Sequence, residues 1–279
     1  MNDLNHDTAS TSRYVLGHSD RELNRLQAQA RLINPITQRY FREAGIVSGM
    51  RVLDIGSGAG DVSFLVADIV GDGGEVVGVD RAPAALELAR ARAVAGGWRN
   101  VIFRQGDPDQ ITFDKPFDAV IGRYVLMFQH DPAAMLRTLA GHVRPGGLIA
   151  FHEIDWGGIT SCPAIPTFER CLRWGAETLR LSGAETRMGR NLYSTFVSAG
   201  LSPPSLRLEA LIRGAAHSSD LLHLLVELMA TLLPDMERLG VASGDDVGLE
   251  TLLARMSEEA VANASLVIGH YQIGAWSRV

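Results

Sequence analysis

From residue 50 to residue 155 the apolar positions form short, nearly continuous runs, separated by stretches where they recur at helical spacing. "RVLDIG" (51–56) predicts a first strand, and Val62, Leu65, Val66 and Ile69 then mark one face of a helix. "EVVGVD" (75–80) predicts a second strand, followed by a helix over Pro83–Ala95 with proline near its first position. "VIFRQ", "FDAVIG" and "GLIAFHEID" continue the series, with a helix beginning at Asp131-Pro132 between the last two. Strands separated by single helices predict an α/β fold with a doubly wound, mostly parallel sheet.

Outside this section the pattern changes. "HSDRELNRLQAQARLI" (18–33) carries Ser19 and Glu22 at capping-box spacing and an apolar face at Leu23, Leu26, Ala30 and Ile33. Pro35 is expected to break this helix, with a second helical piece reaching Ala44. Residues 1–45 therefore read as an N-terminal helical cover able to lie across the mouth of one domain spanning 46–279. After Trp156 the alternation lapses, then resumes with a helix in "GRNLYSTFVSAG" and a strand in "SLRLEALI". Residues 215–264 read as two or three helices, and "LVIGHYQIGAW" (266–276) closes the sheet as a C-terminal antiparallel strand. The irregular stretches, about 157–188 and 214–264, are expected to be helical inserts on one sheet. "DLLHLLVELMATLL" (220–233) is hydrophobic on all sides of its helical wheel. That suits a buried core helix, a lid over an apolar substrate or a homodimer contact.

Composition narrows the class of protein. A hydrophobic share of 46% with 21% charged residues supplies a core for 279 residues and excludes a disordered chain. The net charge is −6 and the arginines are scattered, so no nucleic-acid partner is expected. The N-terminus lacks the basic-then-apolar order of a signal peptide, and the apolar run over 221–233 is broken by His223 and Glu227 and ends at Pro234, too short for a membrane span. A cytoplasmic protein without a membrane partner is expected. Cys162 and Cys171 have no metal-type spacing; no metal site is expected, and both read as buried thiols.

The chemistry gathers at "VLDIGSGAGD" (52–61). A dinucleotide fingerprint would put its third glycine at position 61, where Asp61 stands, and a P-loop would need a lysine that is absent here. Asp80 ends the second predicted strand, where an acid can accept both hydroxyls of a ribose. Asp107 follows the third and could accept an exocyclic amine. That edge of an open α/β sheet is where ligands bind. With "VVGVD", "QGD", "FDAVIGRYVLMF" and "VRPGGLIAFHE", the segment 52–155 resembles the class I S-adenosylmethionine-dependent methyltransferases, small-molecule branch. The resemblance implies a Rossmann-like fold and S-adenosylmethionine as cofactor. It implies Asp54, Gly56, Ser57, Gly58 and Asp61 along the methionine part, Asp80 at the ribose, Arg81 beside the adenine, Asp107 and Pro108 meeting the adenine, and Arg123 beneath the cofactor. "YVLGHSDRELNRLQAQ" is similar to that branch's N-terminal closing segment, which makes Tyr14 a candidate cap.

A sulfonium methyl is already activated, so the protein must mainly align the nucleophile and exclude water. A base is needed only where the nucleophile arrives protonated. His152 and Glu153, at the end of the fifth strand, are the candidates for proton transfer, although neighbours on a strand face opposite ways and His152 could equally be a packed histidine. Tyr124, Met127, Phe128 and Trp156 are expected at the substrate pocket, Met127 and Phe128 with a core role as the alternative. The expected activity is methyl transfer to an O or N atom of a small, partly apolar molecule; the alternatives are C-methylation of an aromatic or quinone-like ring, or a non-catalytic module that binds the cofactor.

Overall fold

A computed structural model describes the backbone over residues 20–107 and 110–279, and side chains over 29–107, 110–215 and 217–279. Helix α1 (Asp20–Ala44) leads into β1 (Arg51–Ile55), α2 (Asp61–Val70), β2 (Glu75–Asp80), α3 (Pro83–Ala95), β3 (Val101–Gln105), β4 (Phe117–Arg123), α4 (Pro132–Ala140) and β5 (Val143–Asp155). There follow β6 (Thr160–Cys162), α5 (Pro166–Leu181), α6 (Met188–Ser198), β7 (Ser205–Glu209), β8 (Ile212–Gly214), α7 (Ser219–Leu239), α8 (Gly244–Val247), α9 (Leu249–Ala262), β9 (Leu266–Ile268) and β10 (Tyr271–Arg278).

The main sheet has seven strands in the order β3-β2-β1-β4-β5-β10-β7. β1 to β5 pair in parallel, and β10 runs antiparallel to both its neighbours. This is the expected Rossmann-like sheet with an antiparallel C-terminal strand. Val52, Leu53 and Ile55 of β1 are wholly buried because helices cover both faces, so the run reads as continuously apolar. One core lies under α1, α2 and α3 around Phe41, Val66 and Leu86; the other lies under α4 to α7 and α9 around Phe151, Leu192 and Leu232. α4 starts as its sequence requires, with the Asp131 carboxylate accepting from the Ala134 N–H (2.8 Å) and Pro132 at the first turn.

The helix in the stretch after Trp156 is α5, whose buried face is Thr167, Phe168, Cys171, Gly175, Thr178 and Leu179; threonine, cysteine and glycine at helical spacing escape a hydrophobic count. Three local expectations are corrected. α1 runs unbroken through Pro35. Burial of Ile33, Ile36, Tyr40 and Phe41 against the sheet and α2 outweighs the one backbone hydrogen bond that proline removes. "SLRLEALI" and "LVIGHYQIGAW" each divide between two sheets: β7 and β10 join the main sheet, while β8 and β9 form a three-stranded antiparallel sheet with β6. The division falls at Gly269, whose N–H donates to the Leu211 carbonyl (2.8 Å). Cys171 is buried as expected, but Cys162 is exposed, and both thiols are free.

Candidate functional site

A cavity of about 690 Å³ opens at the C-terminal ends of β1, β2, β4 and β5, where an open α/β sheet offers its crevice. One end is made by the glycine loop. Gly56, Gly58 and Gly60 all have φ between 51° and 89°, a region that disfavours side chains. A Cβ at Gly60 would lie 2.8 Å from Phe64 and 2.9 Å from Phe103, so this glycine serves packing, whereas one at Gly58 would meet nothing within 4 Å. Gly60 occupies the N-cap of α2 without a side-chain cap, which leaves the helix's first N–H groups available to an anion. The Asp80 carboxylate braces the loop, accepting from the Gly58 N–H and the Ala82 N–H, both at 2.8 Å.

Gly56, Ser57, Gly58, Asp61, Asp80, Arg81, Arg123, Tyr124, Met127, Phe128 and Trp156 all line this cavity. Asp61 also pairs with Arg92 (2.8 Å). Tyr14 and Pro108 lie outside the described residues.

Asp54, Asp107, His152 and Glu153 are not on the wall, which corrects their expected positions. Asp54 is buried behind the loop and accepts from the Ser63 hydroxyl (2.6 Å), bracing β1 against α2; burial pushes its carboxyl up to about 7. Asp107 pairs with Arg81 (2.9 Å). His152 is fully buried, its Nδ1 3.1 Å from the Thr37 hydroxyl and its Nε2 2.8 Å from the Gln272 Oε1. Burial, reinforced by the Arg123 charge, lowers its pKa to about 3, so the ring is neutral. The Glu153 Oε1 accepts the Val125 and Leu126 N–H groups (2.9 and 2.8 Å), and burial raises its carboxyl to about 8. Side chains alternate along β5, so His152 turns toward α1 and β10 while Glu153 supports the turn that carries Met127 and Phe128.

Behind the wall lies a polar brace that the sequence does not announce. The Gln272 side-chain oxygen accepts from the Tyr124 hydroxyl (2.5 Å) as well as facing His152, and its backbone carbonyl accepts from the Tyr40 hydroxyl (2.7 Å). Arg123 donates to Asn34 (2.7 Å) and Thr37 (3.1 Å), tying α1 to the end of β4. Tyr124 has φ +59°, a conformation worth about 1–2 kcal/mol of strain in a non-glycine residue. Gln272, Gln29, Ser182 and His270 line the cavity too and were missed, because nothing in their sequence neighbourhoods distinguishes them from ordinary loop and strand positions.

The residues present suit S-adenosylmethionine. The Ser57 hydroxyl is buried without a hydrogen-bond partner among the described residues, Gly58 leaves its side of the loop open, and each Asp80 oxygen has a further lone pair for a ribose hydroxyl. Asp61 and Asp80 suit a cationic amino-acid moiety, and the open N-terminus of α2 suits its carboxylate. Fold and site together define a class I S-adenosylmethionine-dependent methyltransferase domain.

The chain belongs to the family described as "Methyltransferase domain", whose profile matches residues 46–186, just over half its length. It is 38% identical over 118 residues to aklanonic acid methyltransferase DauC of Streptomyces sp. (strain C5), covering 42% of this chain and 54% of that protein. It is 30% identical over 133 residues to demethylmenaquinone methyltransferase of Lactococcus lactis subsp. lactis (strain IL1403), covering 47% and 50%. The chain thus spans about half the length of the curated relatives it matches. The crystal structure of YcgJ from Bacillus subtilis superposes with a TM-score of 0.53 over 86% of this chain and 96% of that one; at 19% identity the likeness is one of fold. No helix among the described residues is long and apolar enough to cross a membrane, and no group of three or more His, Cys, Asp or Glu among them could hold a metal ion.

Proposed function

We propose that the protein transfers a methyl group from S-adenosylmethionine to an O or N atom of a small, partly apolar molecule. The observation that carries this reading is the single cavity wall on which a glycine loop, Asp80 and an uncapped helix N-terminus meet an apolar chamber bounded by Met127, Phe128 and Trp156. The relatives named above, for aklanonic acid and demethylmenaquinone, support a small-molecule acceptor. When bound, S-adenosylmethionine supplies a methyl already activated by its positive sulfur.

The chain's own contribution is alignment and exclusion of water. Asp80 holds the ribose hydroxyls, Ser57 and the open N–H groups of α2 take the amino-acid end, and Arg81 flanks the base. Met127, Phe128 and Tyr124 wall the region where acceptor and donor meet. His152 and Glu153 act as positioning residues, one fixing Gln272 and Tyr124, the other the turn bearing Met127. The apolar chamber accommodates C-methylation of an aromatic or quinone-like ring as a second reading.

Titration calorimetry with S-adenosylhomocysteine tests the cofactor site. Asp80→Asn removes a charged acceptor worth about 2 kcal/mol, a loss of ~30-fold in affinity. Equal affinities, or no binding to either protein, would defeat the assignment. Incubation with cofactor labelled on its methyl group and a metabolite extract separates an enzyme from a non-catalytic binding module, since only the former passes the label on.

A further inference from the structure

The hydrogen bonds behind the cavity wall form a series whose donors and acceptors are fixed from end to end. Gln272 sets the direction. Its side-chain Nε2 donates to the His270 carbonyl (3.3 Å), so its Oε1 is the atom that faces both His152 and Tyr124. A flipped amide would set that oxygen against the carbonyl and leave two acceptors opposed. An amide oxygen only accepts, so the Tyr124 hydroxyl donates to it (2.5 Å) and the His152 Nε2, at 2.8 Å, carries the imidazole proton.

With its proton on Nε2, the neutral His152 ring offers a lone pair at Nδ1, 3.1 Å from the Thr37 hydroxyl. Thr37 gives its proton to that lone pair, since turning it to the Ile33 carbonyl, 3.2 Å away, would set two lone pairs against each other; the Thr37 oxygen in turn accepts from the Arg123 Nη1 (3.1 Å). At the other end of the series the Tyr124 phenol also has a side-chain hydrogen bond to Gln29, and because its one proton is committed to Gln272 it accepts there. Burial holds the phenol pKa above its ordinary value, so the proton stays in place. Tyr124, Gln29 and Gln272 all line the cavity. The phenol oxygen has a second lone pair and no second proton, so it can meet a ligand only as an acceptor.

We propose that Tyr124 selects and orients the methyl acceptor through that lone pair, and that Gln272 is the positioning residue that keeps the phenol acceptor-only. The nucleophilic atom is then an oxygen or nitrogen that carries a hydrogen as well as a lone pair, in a hydroxyl or an uncharged amine. This rests on the methyl-transfer reading and narrows it to a heteroatom, because a ring C–H is too weak a donor to be held in this way. With its hydrogen on the Tyr124 oxygen, the acceptor atom turns its lone pair to the methyl. In the transfer that lone pair forms the bond to the methyl carbon, and the carbon–sulfur bond breaks with its electron pair going to sulfur. The hydrogen, now on a positively charged atom, leaves as a proton to water at the cavity mouth. Tyr124 is thereby a catalytic residue, in contact with the reacting atom.

Nitrogen NMR of the full chain with isotope-labelled histidine tests the polarity, and His152 is expected as the Nε2–H tautomer. Transfer from methyl-labelled S-adenosylmethionine to a metabolite extract tests the consequence, and carbon NMR of the product is expected to show the methyl on oxygen or nitrogen. Tyr124→Phe and Gln272→Leu are each expected to lower the rate of labelling by about five-fold. Gln272→Glu is expected to restore it, since a protonated carboxyl keeps an acceptor oxygen toward Tyr124 and a donor toward the His270 carbonyl. An Nδ1–H tautomer at His152, a methyl on carbon, an undiminished rate in Tyr124→Phe, or a loss in Gln272→Glu as deep as in Gln272→Leu would each overturn the proposal. S-adenosylhomocysteine binding, read by calorimetry, is expected to persist in every variant. Its absence in wild type would strike the cofactor reading, and its presence with no label passed on would strike the methyl-transfer reading; the tautomer measurement stands apart from both.

Discussion

Asp155 and Arg190 join the end of β5 to α6, and their pairing can be converted into an expected loss of stability. The Asp155 carboxylate is 1% exposed and receives the Arg190 Nε (2.5 Å) and Nη2 (2.7 Å) in a two-pronged fork, with the Gly157 N–H at 2.7 Å. Removing one partner of a fully buried pair costs about 3–5 kcal/mol, because the other charge is left uncompensated. Arg190 is 48% exposed, so water can reach the vacated side, and the expected loss for Arg190→Ala falls to about 2–3 kcal/mol. In a chain of this size that is a fall in Tm of about 5 °C.

The pH dependence carries a sign of its own. Burial alone would raise the Asp155 pKa, but the Arg190 and Gly157 hydrogen bonds overcome it and hold the carboxyl below its ordinary value. Its stabilising contribution is therefore present above the unfolded-state pKa and lost as pH falls through the folded one. In Arg190→Ala the stranded carboxyl takes up a proton more readily in the folded state, so the gap to wild type narrows as the solution is acidified. Urea unfolding of wild type, Arg190→Ala, Asp155→Asn and the double variant gives the coupling directly. A coupling under about 0.5 kcal/mol at pH 7, or a gap that widens on acidification, would refute the reasoning.

Two further outcomes follow from buried groups. Glu153, raised to about 8 by burial, holds its proton in the folded state; the stability this supports is present below the unfolded pKa and lost as pH rises through 8. Glu153→Gln, which copies the protonated shape, should match wild type near pH 5 and exceed it in Tm near pH 9, and equal Tm differences at both would count against a neutral Glu153. Gly274→Ala would bring a Cβ to 2.6 Å from the Tyr40 ring; the expected cost is about 1–3 kcal/mol in urea unfolding, and an unchanged midpoint would show that α1 yields freely.

Much of the frame was legible because it depends on local pattern. β1, β2 and β4 are buried on both faces, so their runs are continuously apolar, and Pro83 and Asp131-Pro132 mark helix starts chemically. The glycine loop was legible for the same reason, since its backbone angles restrict the residues that can occupy it. What escaped depends on distant partners. Asp54 belongs to the motif by position, yet its carboxylate turns inward to Ser63; His152 has a base's chemistry, yet Thr37 and Gln272 enclose it. The opposite error concerns His270, whose surroundings of glycine and apolar strand give no sign that folding will bring it against Trp156. The all-apolar wheel of α7 left core helix, lid and dimer contact open as alternatives; in the structure the helix packs into the core and sets Leu221, Leu224, Leu225 and Leu228 on the cavity.

The Tyr40 hydroxyl and the Gln272 carbonyl meet across 232 positions of sequence. On a ribosome, α1 and the glycine loop emerge long before the strand that completes the chamber. A nascent chain can form β1 to β5 early, but Tyr124 and His152 lack Gln272, and β5 lacks its antiparallel neighbour, until β10 inserts between β5 and β7. Assembly of the chamber is in this way coupled to completion of synthesis through residue 272, and a chain ending before β9 would retain the family motif without the pocket that the motif serves.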